Sequence, residues 1–280
     1  MKQFLIIITL LLAMLNASAK QLKKITVLHT SDTHSCILPL NANISDTVMA
    51  GRGGFVRRVD MLKQERQKDP HLLLFDCGDF SQGSSYYTMF KGDVEVGLMN
   101  QMHYDAVTIG NHEFDLGLEN MARLFKMANF PVVCSNYDFA DTQLNDIVKP
   151  YLVLKRKGVK IGVFALCPPL EGLVSKKNYG PLTFLDPIEV TKKMVHLLRD
   201  EKKCDVVICL SHLGWEISDY TDNTVIQNTS GIDLVLGGHT HTYMDKLGYE
   251  KDENGHQVPV DHEGKNGVYV GKIEMTFDKK

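Results

Sequence analysis

The 280-residue chain has no internal repeat, no low-complexity run and no long basic cluster. These absences exclude collagen, a coiled coil and wholesale disorder. Acidic residues number 34 against 31 basic ones, and the longest basic run is Lys155-Arg156-Lys157. This balance argues against a nucleic-acid polymer as partner, because such partners select concentrated positive charge. The hydrophobic share of 44% is ordinary, so the chain can bury one large core or two small ones.

A long hydrophobic run is also lacking, and no membrane span is expected. The apolar stretch near the N-terminus extends only from Phe4 to Leu15, which is too short to cross a bilayer comfortably. Lys2 precedes it, and Ala17-Ser18-Ala19 offers the small residues that a signal peptidase accepts. Residues 1–19 are therefore predicted to be a signal peptide of an exported protein, periplasmic or secreted. The alternative is a buried first helix or strand.

The six cysteines do not have the spacing of a disulfide framework. Cys204 and Cys209 flank one apolar run, and five positions along a strand are too far apart to be bridged. Cys77, Cys134 and Cys167 each end an apolar run, which favours buried free thiols.

From Ile25 onward, apolar runs alternate with stretches of helical spacing. Short continuous runs such as Leu72–Phe75 and Val206–Leu210 are typical of strands buried on both faces. The apolar residues of 94–102 and 116–127 instead indicate helices. Residues 248–267 are polar and rich in glycine, which predicts a loop or an exposed hairpin. Residues 20–280 are therefore predicted to form one α/β domain.

Five of the predicted strands end in groups that can bind a metal ion. Because open α/β sheets bind ligands at the carboxyl ends of their strands, groups distant in sequence can converge there. Mixed oxygen and nitrogen donors favour two ions of zinc, manganese or iron over magnesium or calcium. Two such ions can hold an attacking water and a phosphoryl oxygen between them. The candidate ligands are Asp32, His34, Asp79, Asn111, His212, His239 and His241.

The order of these motifs resembles that of the calcineurin-like metallophosphoesterase family. The matching elements are Asp32-Thr33-His34, Gly78-Asp79, Gly110-Asn111-His112-Glu113 and Gly238-His239-Thr240-His241, with His212 before the last. The resemblance implies an α/β fold of the four-layer αββα sandwich type and a dinuclear metal site. It also implies that Asp32, His34 and His241 hold one ion. Asn111, His212 and His239 would hold the other, with Asp79 bridging the two.

Within this family the 5′-nucleotidase branch is the most similar, because the run from Asn111 to Asp115 includes the aspartate that orients the histidine. The resemblance makes His112 the group that stabilises the transition state or protonates the leaving group, and Asp115 keeps it protonated. Asn111 would contact the phosphoryl oxygen, while Glu113 is expected to support the loop. The predicted function is an exported metal-dependent phosphoesterase acting on phosphomonoesters, with 5′-nucleotides or related compounds as substrates.

Two departures from that branch leave the substrate open. The first is that His241 stands where bacterial 5′-nucleotidases often carry glutamine. The second is the C-terminal domain that supplies their substrate-binding arginines and aromatics. This domain is expected to be absent, since the chain stops at Lys280. Trp215 and Tyr243 follow metal motifs and either line the cleft or pack. The alternatives are a phosphodiesterase or nucleotide-sugar hydrolase, a catalytic half that requires a separate substrate-recognition protein, and a metal-binding protein without turnover.

Overall fold

The computed structural model describes residues 23–216 and 219–277. The predicted signal peptide at residues 1–19 lies outside this range and stays a prediction. Most of the described strands belong to two large sheets. The strands are β1 (Lys23–Thr30), β2 (Leu73–Asp76), β3 (Ala106–Thr108), β4 (Val132–Val133), β5 (Tyr137–Asp138), β6 (Tyr151–Arg156), β7 (Val159–Leu166), β8 (Thr183–Phe184), β9 (Val206–Ser211), β10 (Leu234–Gly237), β11 (Gly248–Lys251), β12 (Gln257–His262) and β13 (Gly271–Phe277).

Helices lie between many of these strands, and local capping fixes where some of them begin. The helix at Pro187 starts there because the Asp186 carboxylate accepts two backbone N–H groups of the first turn, and proline suits that position. The helices are α1 (Phe55–Lys68), α2 (Ser85–Phe90), α3 (Asp93–Met102), α4 (Gly117–Met127), α5 (Lys176–Tyr179), α6 (Pro187–His196) and α7 (Asp222–Gln227).

In both large sheets the central strands are parallel to one another. Sheet 1 has the order β13-β1-β2-β3-β4, and sheet 2 has the order β11-β12-β10-β9-β7-β6. In sheet 1, β1 to β4 are parallel to one another and β13 is antiparallel to β1. In sheet 2, β7, β9, β10 and β12 are parallel. The carboxyl ends of the parallel strands within each sheet therefore meet at one edge.

Alternation along the strands gives each sheet two apolar faces. On β1, Val27 packs in the layer between the sheets, whereas Leu28 packs against α1, α3 and α4. On β9, Ile208 faces sheet 1, whereas Val207 packs against α6 and α7. The layers are therefore helix, sheet, sheet and helix. This arrangement confirms the predicted four-layer αββα sandwich.

Most predicted elements are confirmed, with one instructive difference. The runs predicted as strands at 25–29 and 206–210 correspond to β1 and β9. Residues 248–267 do contain a hairpin, β11–β12, but β12 is not exposed, since it pairs with β10 and buries Asp261 and His262. Its polar residues bind partners inside the sandwich, which a polarity pattern cannot reveal. Among the described residues, no helix combines the length and the apolar character needed to cross a membrane.

One buried polar cluster ties sheet 2 to sheet 1. His29 of β1 is fully buried, and its Nε2 lies 3.1 Å from Asp261 Oδ2 and 4.0 Å from Glu263 Oε1. Gly271 permits this contact, because a Cβ at that position would lie 2.2 Å from His29 Nε2. Burial, followed by the charge of Asp261, raises the pKa of Glu263 to about 8. Glu263 thus keeps its proton at neutral pH.

We expect Glu263→Gln to remove a pH dependence of stability. A glutamate in the unfolded chain ionises near pH 4.5, whereas folded Glu263 keeps its proton to about pH 8. The unfolded state therefore binds fewer protons across this window, and the wild-type free energy of unfolding falls as the pH rises through it. Urea titrations of metal-free protein between pH 4.5 and pH 8 should show the wild type losing stability relative to the variant. Exposed Glu253→Gln is the matched control, and parallel curves for wild type and Glu263→Gln would contradict the prediction.

Candidate metal centre

The loops that follow β1, β2, β3, β9 and β10 converge where the carboxyl edges of the two sheets meet. The N–H of Asp32 donates to Gly78 O at 2.9 Å, which joins the first two loops. The N–H of His239 donates to both carboxylate oxygens of Asp32 at 3.0 and 3.1 Å, which joins sheet 2 to sheet 1. The strand-end motifs predicted from sequence therefore form one cluster.

The first group of potential ligands consists of Asp32, His34 and His241. The Nε2 atoms of the two histidines lie 2.9 Å apart. Asp32 Oδ1 lies 3.9 Å from His34 Nε2 and 3.6 Å from His241 Nε2. Three donor atoms thus face one small volume, with a carboxylate completely buried beneath two imidazoles.

The second group consists of Asp79, His212 and His239. Their donor atoms lie within 4.8 Å of one another. His212 Nε2 is 3.1 Å from Asp79 Oδ2 and 4.0 Å from Asp32 Oδ1, so it faces carboxylates of both groups. A third combination, Asp79 with His34 and His112, meets the same distance limit. Asp79 therefore lies centrally among the potential ligands.

The donor set fits divalent cations, because several buried polar atoms lack partners within the chain. Asn111 Oδ1 is buried without a hydrogen bond, and so is His212 Nε2, which faces Asp79 without the alignment of a hydrogen bond. His212 Nδ1 donates to Cys77 O at 2.6 Å, which leaves Nε2 as the nitrogen available to a metal ion. An imidazole held by a backbone carbonyl in this way is the usual arrangement of a metal ligand.

The charges within the cluster are unevenly distributed. Burial raises the pKa of Asp32 to about 8, although the charge of His212 opposes this shift. Burial also acts to raise the pKa of Asp79, but the charge of His212 outweighs it and holds that pKa well below its usual range. Against the effect of burial, the charge of Asp79 raises the pKa of His212 to about 10. Burial and neighbouring histidines lower the pKa of His239 and of His241 to about 4. Divalent cations bound in the cluster would take the place of protons on Asp32 and His212.

The backbone is strained where the candidate ligands lie. A non-glycine residue with positive φ costs about 1–2 kcal/mol and is uncommon. Such conformations persist where surrounding contacts over-determine them, and they concentrate at functional sites. Here the left-handed φ angles belong to Asp32 (48°), His34 (44°), Asp79 (55°), His239 (74°) and His241 (55°).

Glycine permits the closest approaches between these loops. A Cβ on Gly110 would lie 2.1 Å from Asp79 Oδ1, and one on Gly238 would lie 2.8 Å from Asp32 Oδ2. Either side chain would push a carboxylate out of place. Glycine at these two positions therefore allows the close backbone approach that the strand ends require.

Glu113 acts as a clamp, in that its hydrogen bonds hold two of the ligand loops together. Its buried carboxylate accepts the N–H groups of Asp79 at 2.9 Å, Ser81 at 3.0 Å and Gly110 at 2.7 Å. The loops after β2 and β3 are thereby held together, as expected of a residue that supports the loop. The amide of His112 adds a further tie by donating to Asp79 Oδ1 at 2.8 Å.

His112 lies beside the cluster and is paired with Asp115. Its Nδ1 is 2.9 Å from Asp115 Oδ2, and its ring centroid is 5.4 Å from that of His34. The hydrogen bond to Asp115 raises the pKa of His112, and the charge of Asp79 acts in the same direction. A protonated imidazole is thus favoured at the rim of the cluster, and both side chains are about one-third exposed.

A polar network beside His212 was missed from sequence. Ser211 Oγ donates to Asp222 Oδ1, and His262 Nε2 donates to Asp222 Oδ2 at 2.8 Å, with all three residues buried. The network connects the end of β9 to the start of α7 and the end of β12. No motif links these residues, because Asp222 and His262 are 40 positions apart. His262 reads as an ordinary histidine in the sequence.

Two aromatic residues that follow ligand motifs have packing partners. The Trp215 ring meets the His262 ring edge-on, with centroids 6.1 Å apart. Tyr243 stacks on Tyr269 at 4.2 Å and keeps half of its surface exposed. For Trp215 these contacts favour packing, while the outer face of Tyr243 is open to solvent.

Comparisons with known proteins agree with this geometry. A family model for calcineurin-like phosphoesterases matches residues 25–243. The 5′-nucleotidase of Bos taurus is 30% identical over 276 residues, which are 92% of this chain and 47% of that protein. The solved structure of a 5′-nucleotidase precursor from Thermus thermophilus aligns with a TM-score of 0.82 at 31% identity, covering 91% of this chain and 52% of the other. The solved structure of Haemophilus influenzae NAD nucleotidase aligns with a TM-score of 0.79 at 25% identity, covering 92% of this chain and 48% of the other. The chain thus spans about half the length of these relatives.

We expect Glu113→Gln to destabilise the metal-free protein by about 1–3 kcal/mol, because the amide NH₂ would face a buried N–H that now has an acceptor. Urea denaturation without metal isolates this effect from ligand binding. Exposed Glu119→Gln, the same chemical change one helix further on, should alter the free energy of unfolding by no more than about 0.5 kcal/mol. Equal stabilities of the two variants would show that the clamp does not hold the loops.

Proposed function

Because this chain belongs to the calcineurin-like phosphoesterase family, we propose that it is an enzyme that hydrolyses phosphoric esters at a centre of two divalent cations. The observation that carries this proposal is the joining of two ligand groups through buried carboxylates, with His112 paired to Asp115 at the rim. A metal-binding protein without turnover would have no use for the His112–Asp115 pair.

The proposed ligands divide between the two groups described above. Asp32, His34 and His241 would hold one ion, and Asp79 would bridge to the second. Asn111, His212 and His239 would complete that second position. Nitrogen-rich sites of this kind suit zinc, manganese or iron. When bound, such ions lower the pKa of water and stabilise negative charge on phosphoryl oxygens.

The chain's own residues would supply proton chemistry and position the substrate. Asp115 binds Nδ1 of His112, so Nε2 is the nitrogen left to donate to a phosphoryl or leaving-group oxygen. The hydrogen bond to Asp115 raises the pKa of His112, which favours the protonated form that a proton donor needs. The Asn111 side chain, buried with an unpartnered oxygen in the same loop, would orient the phosphoryl group.

A 5′-nucleotide is the proposed substrate, and export is the proposed location. The relatives from Bos taurus and Thermus thermophilus are 5′-nucleotidases by name, which supports a phosphomonoester of a nucleoside. The alternative is a dinucleotide or nucleotide sugar, which the similarity to an NAD nucleotidase supports. The predicted signal peptide supports export to the periplasm or outside the cell. The alternative that a separate protein supplies substrate recognition stays a prediction.

We expect His112→Ala to lower kcat by roughly 100-fold or more while metal binding persists, because general acid catalysis contributes about 10²–10⁴-fold. Steady-state assays and metal analysis of the same preparation provide both readouts. His196→Ala is the matched control, because His196 Nδ1 pairs with Asp200 at 2.8 Å on the exposed surface. An unchanged kcat for His112→Ala with metal retained would refute the role of His112.

Substrate class is tested by parallel assays on a nucleoside 5′-monophosphate, a nucleoside 2′,3′-cyclic phosphate and NAD, after addition of zinc or manganese. We expect the highest kcat/KM with the monophosphate. A higher value with either of the other two compounds would replace the phosphomonoesterase assignment by a diesterase or pyrophosphatase. If all three substrates fail and metal is bound, phosphoester hydrolysis by this chain alone is refuted.

A further inference from the structure

We propose that Cys134 and Cys167 form a disulfide that joins the two sheets when the chain folds in an oxidising medium. The two Sγ atoms lie 3.4 Å apart, and both residues are buried. The sequence predicts buried free thiols here, because each of these cysteines ends an apolar run, and the two are 33 positions apart. The fold brings them together, and this proposal does not depend on the proposed function.

The segments carrying the two cysteines are held side by side. Cys134 follows β4 at the edge of sheet 1, and Cys167 follows β7 in sheet 2. Ser135 N donates to Ala165 O at 2.8 Å. The Asn136 side chain then binds Cys167 twice, accepting its N–H and donating to its carbonyl, each at 2.8 Å. The backbones are thus fixed at close range, so the sulfur atoms approach without a loop rearrangement.

The surroundings of the pair favour a bond between the cysteines over binding to another group. Beyond each other, the thiols contact Asn136 Oδ1 at 3.8 Å from Cys134 and Thr108 Oγ1 at 3.6 Å from Cys167. No histidine or carboxylate among the described residues joins them in a metal-binding group. Of the six cysteines, all within the described residues, only these two have sulfur atoms in hydrogen-bonding contact with each other.

The bond would form by thiol–disulfide exchange with a protein or small-molecule disulfide as oxidant. One cysteine thiolate attacks the oxidant's disulfide and releases one of its sulfurs as a thiolate. The second cysteine thiolate attacks the mixed disulfide and releases the other. The two cysteine protons end on the two thiols of the reduced oxidant, so electrons and atoms balance.

The exchange must precede final packing of the sheets. Burial raises the pKa of the Cys167 thiol well above its usual value, so the folded protein offers almost no thiolate there. The thiols are open to the oxidant only before the apolar core that surrounds them closes. Oxidant present during folding is therefore effective, whereas oxidant added to folded, reduced protein is not.

The test is oxidative refolding of the full chain in a glutathione redox buffer, followed by alkylation under denaturing conditions and peptide mass mapping. Of six cysteines, two form the bridge, so four should be alkylated, and one linked peptide pair should contain Cys134 and Cys167. Alkylation of all six, or a linked pair using other cysteines, would overturn the proposal. Cys134→Ser should abolish the linked pair, whereas Cys204→Ser should retain it.

A thermal measurement distinguishes a bridge that stabilises the sandwich from an incidental one. Reductant should lower the Tm of oxidatively refolded wild type by several degrees, since cross-links restrict the unfolded chain. The double variant Cys134→Ser/Cys167→Ser should show no such shift. An equal shift in both proteins would assign the effect to other cysteines and overturn the role of this pair.

Discussion

Two buried carboxylates at the meeting edge of two sheets impose the constraint to which the rest of this structure responds. Asp32 and Asp79 are at most 2% exposed, and neither lies near a lysine or arginine that could pair with it among the described residues. Buried carboxylates are unfavourable unless cations or hydrogen-bond donors compensate them. Histidines and backbone N–H groups do this only in part, because Asn111 Oδ1 and His212 Nε2 remain without partners. Divalent cations at the proposed positions would complete this compensation.

Holding these carboxylates in place requires unfavourable local geometry, which other contacts offset. The backbone is left-handed at Asp32 and Asp79, where the ligand side chains converge. The strain of this conformation opposes folding locally. The three N–H groups bound by Glu113, and the two N–H contacts that fix the loops around Asp32, work against that strain. A glycine at position 110 then lets one loop lie directly on another. The strained backbone and the Glu113 hydrogen bonds therefore act together, because the hydrogen bonds offset the free energy that the strain costs.

The sequence predicts those parts of the site that depend on residues close together along the chain. Asp32-Thr33-His34 follows a buried apolar run within a few residues, so its place at a strand end follows from the pattern of β1. The contacts between distant segments carry no such signal. Cys134 meets Cys167, and His29 meets Asp261, only because the two sheets stack face to face. The polar sequence of β12 predicted exposure for the same reason, because its buried polar groups have hydrogen-bond partners far along the chain.

Each proposed ion position draws its ligands from both sheets. Asp32 and His34 follow a strand of sheet 1 while His241 follows a strand of sheet 2, and Asp79 faces His212 in the same manner. The distance between donor atoms thus depends on how the sheets are docked, so contacts remote from the loops act on the chemistry. The ligand loops present carboxylates and imidazoles, the donor types that hold divalent cations. Proteins named for different substrates, a 5′-nucleotidase and an NAD nucleotidase, both align with this chain, so the shared fold does not by itself decide the substrate.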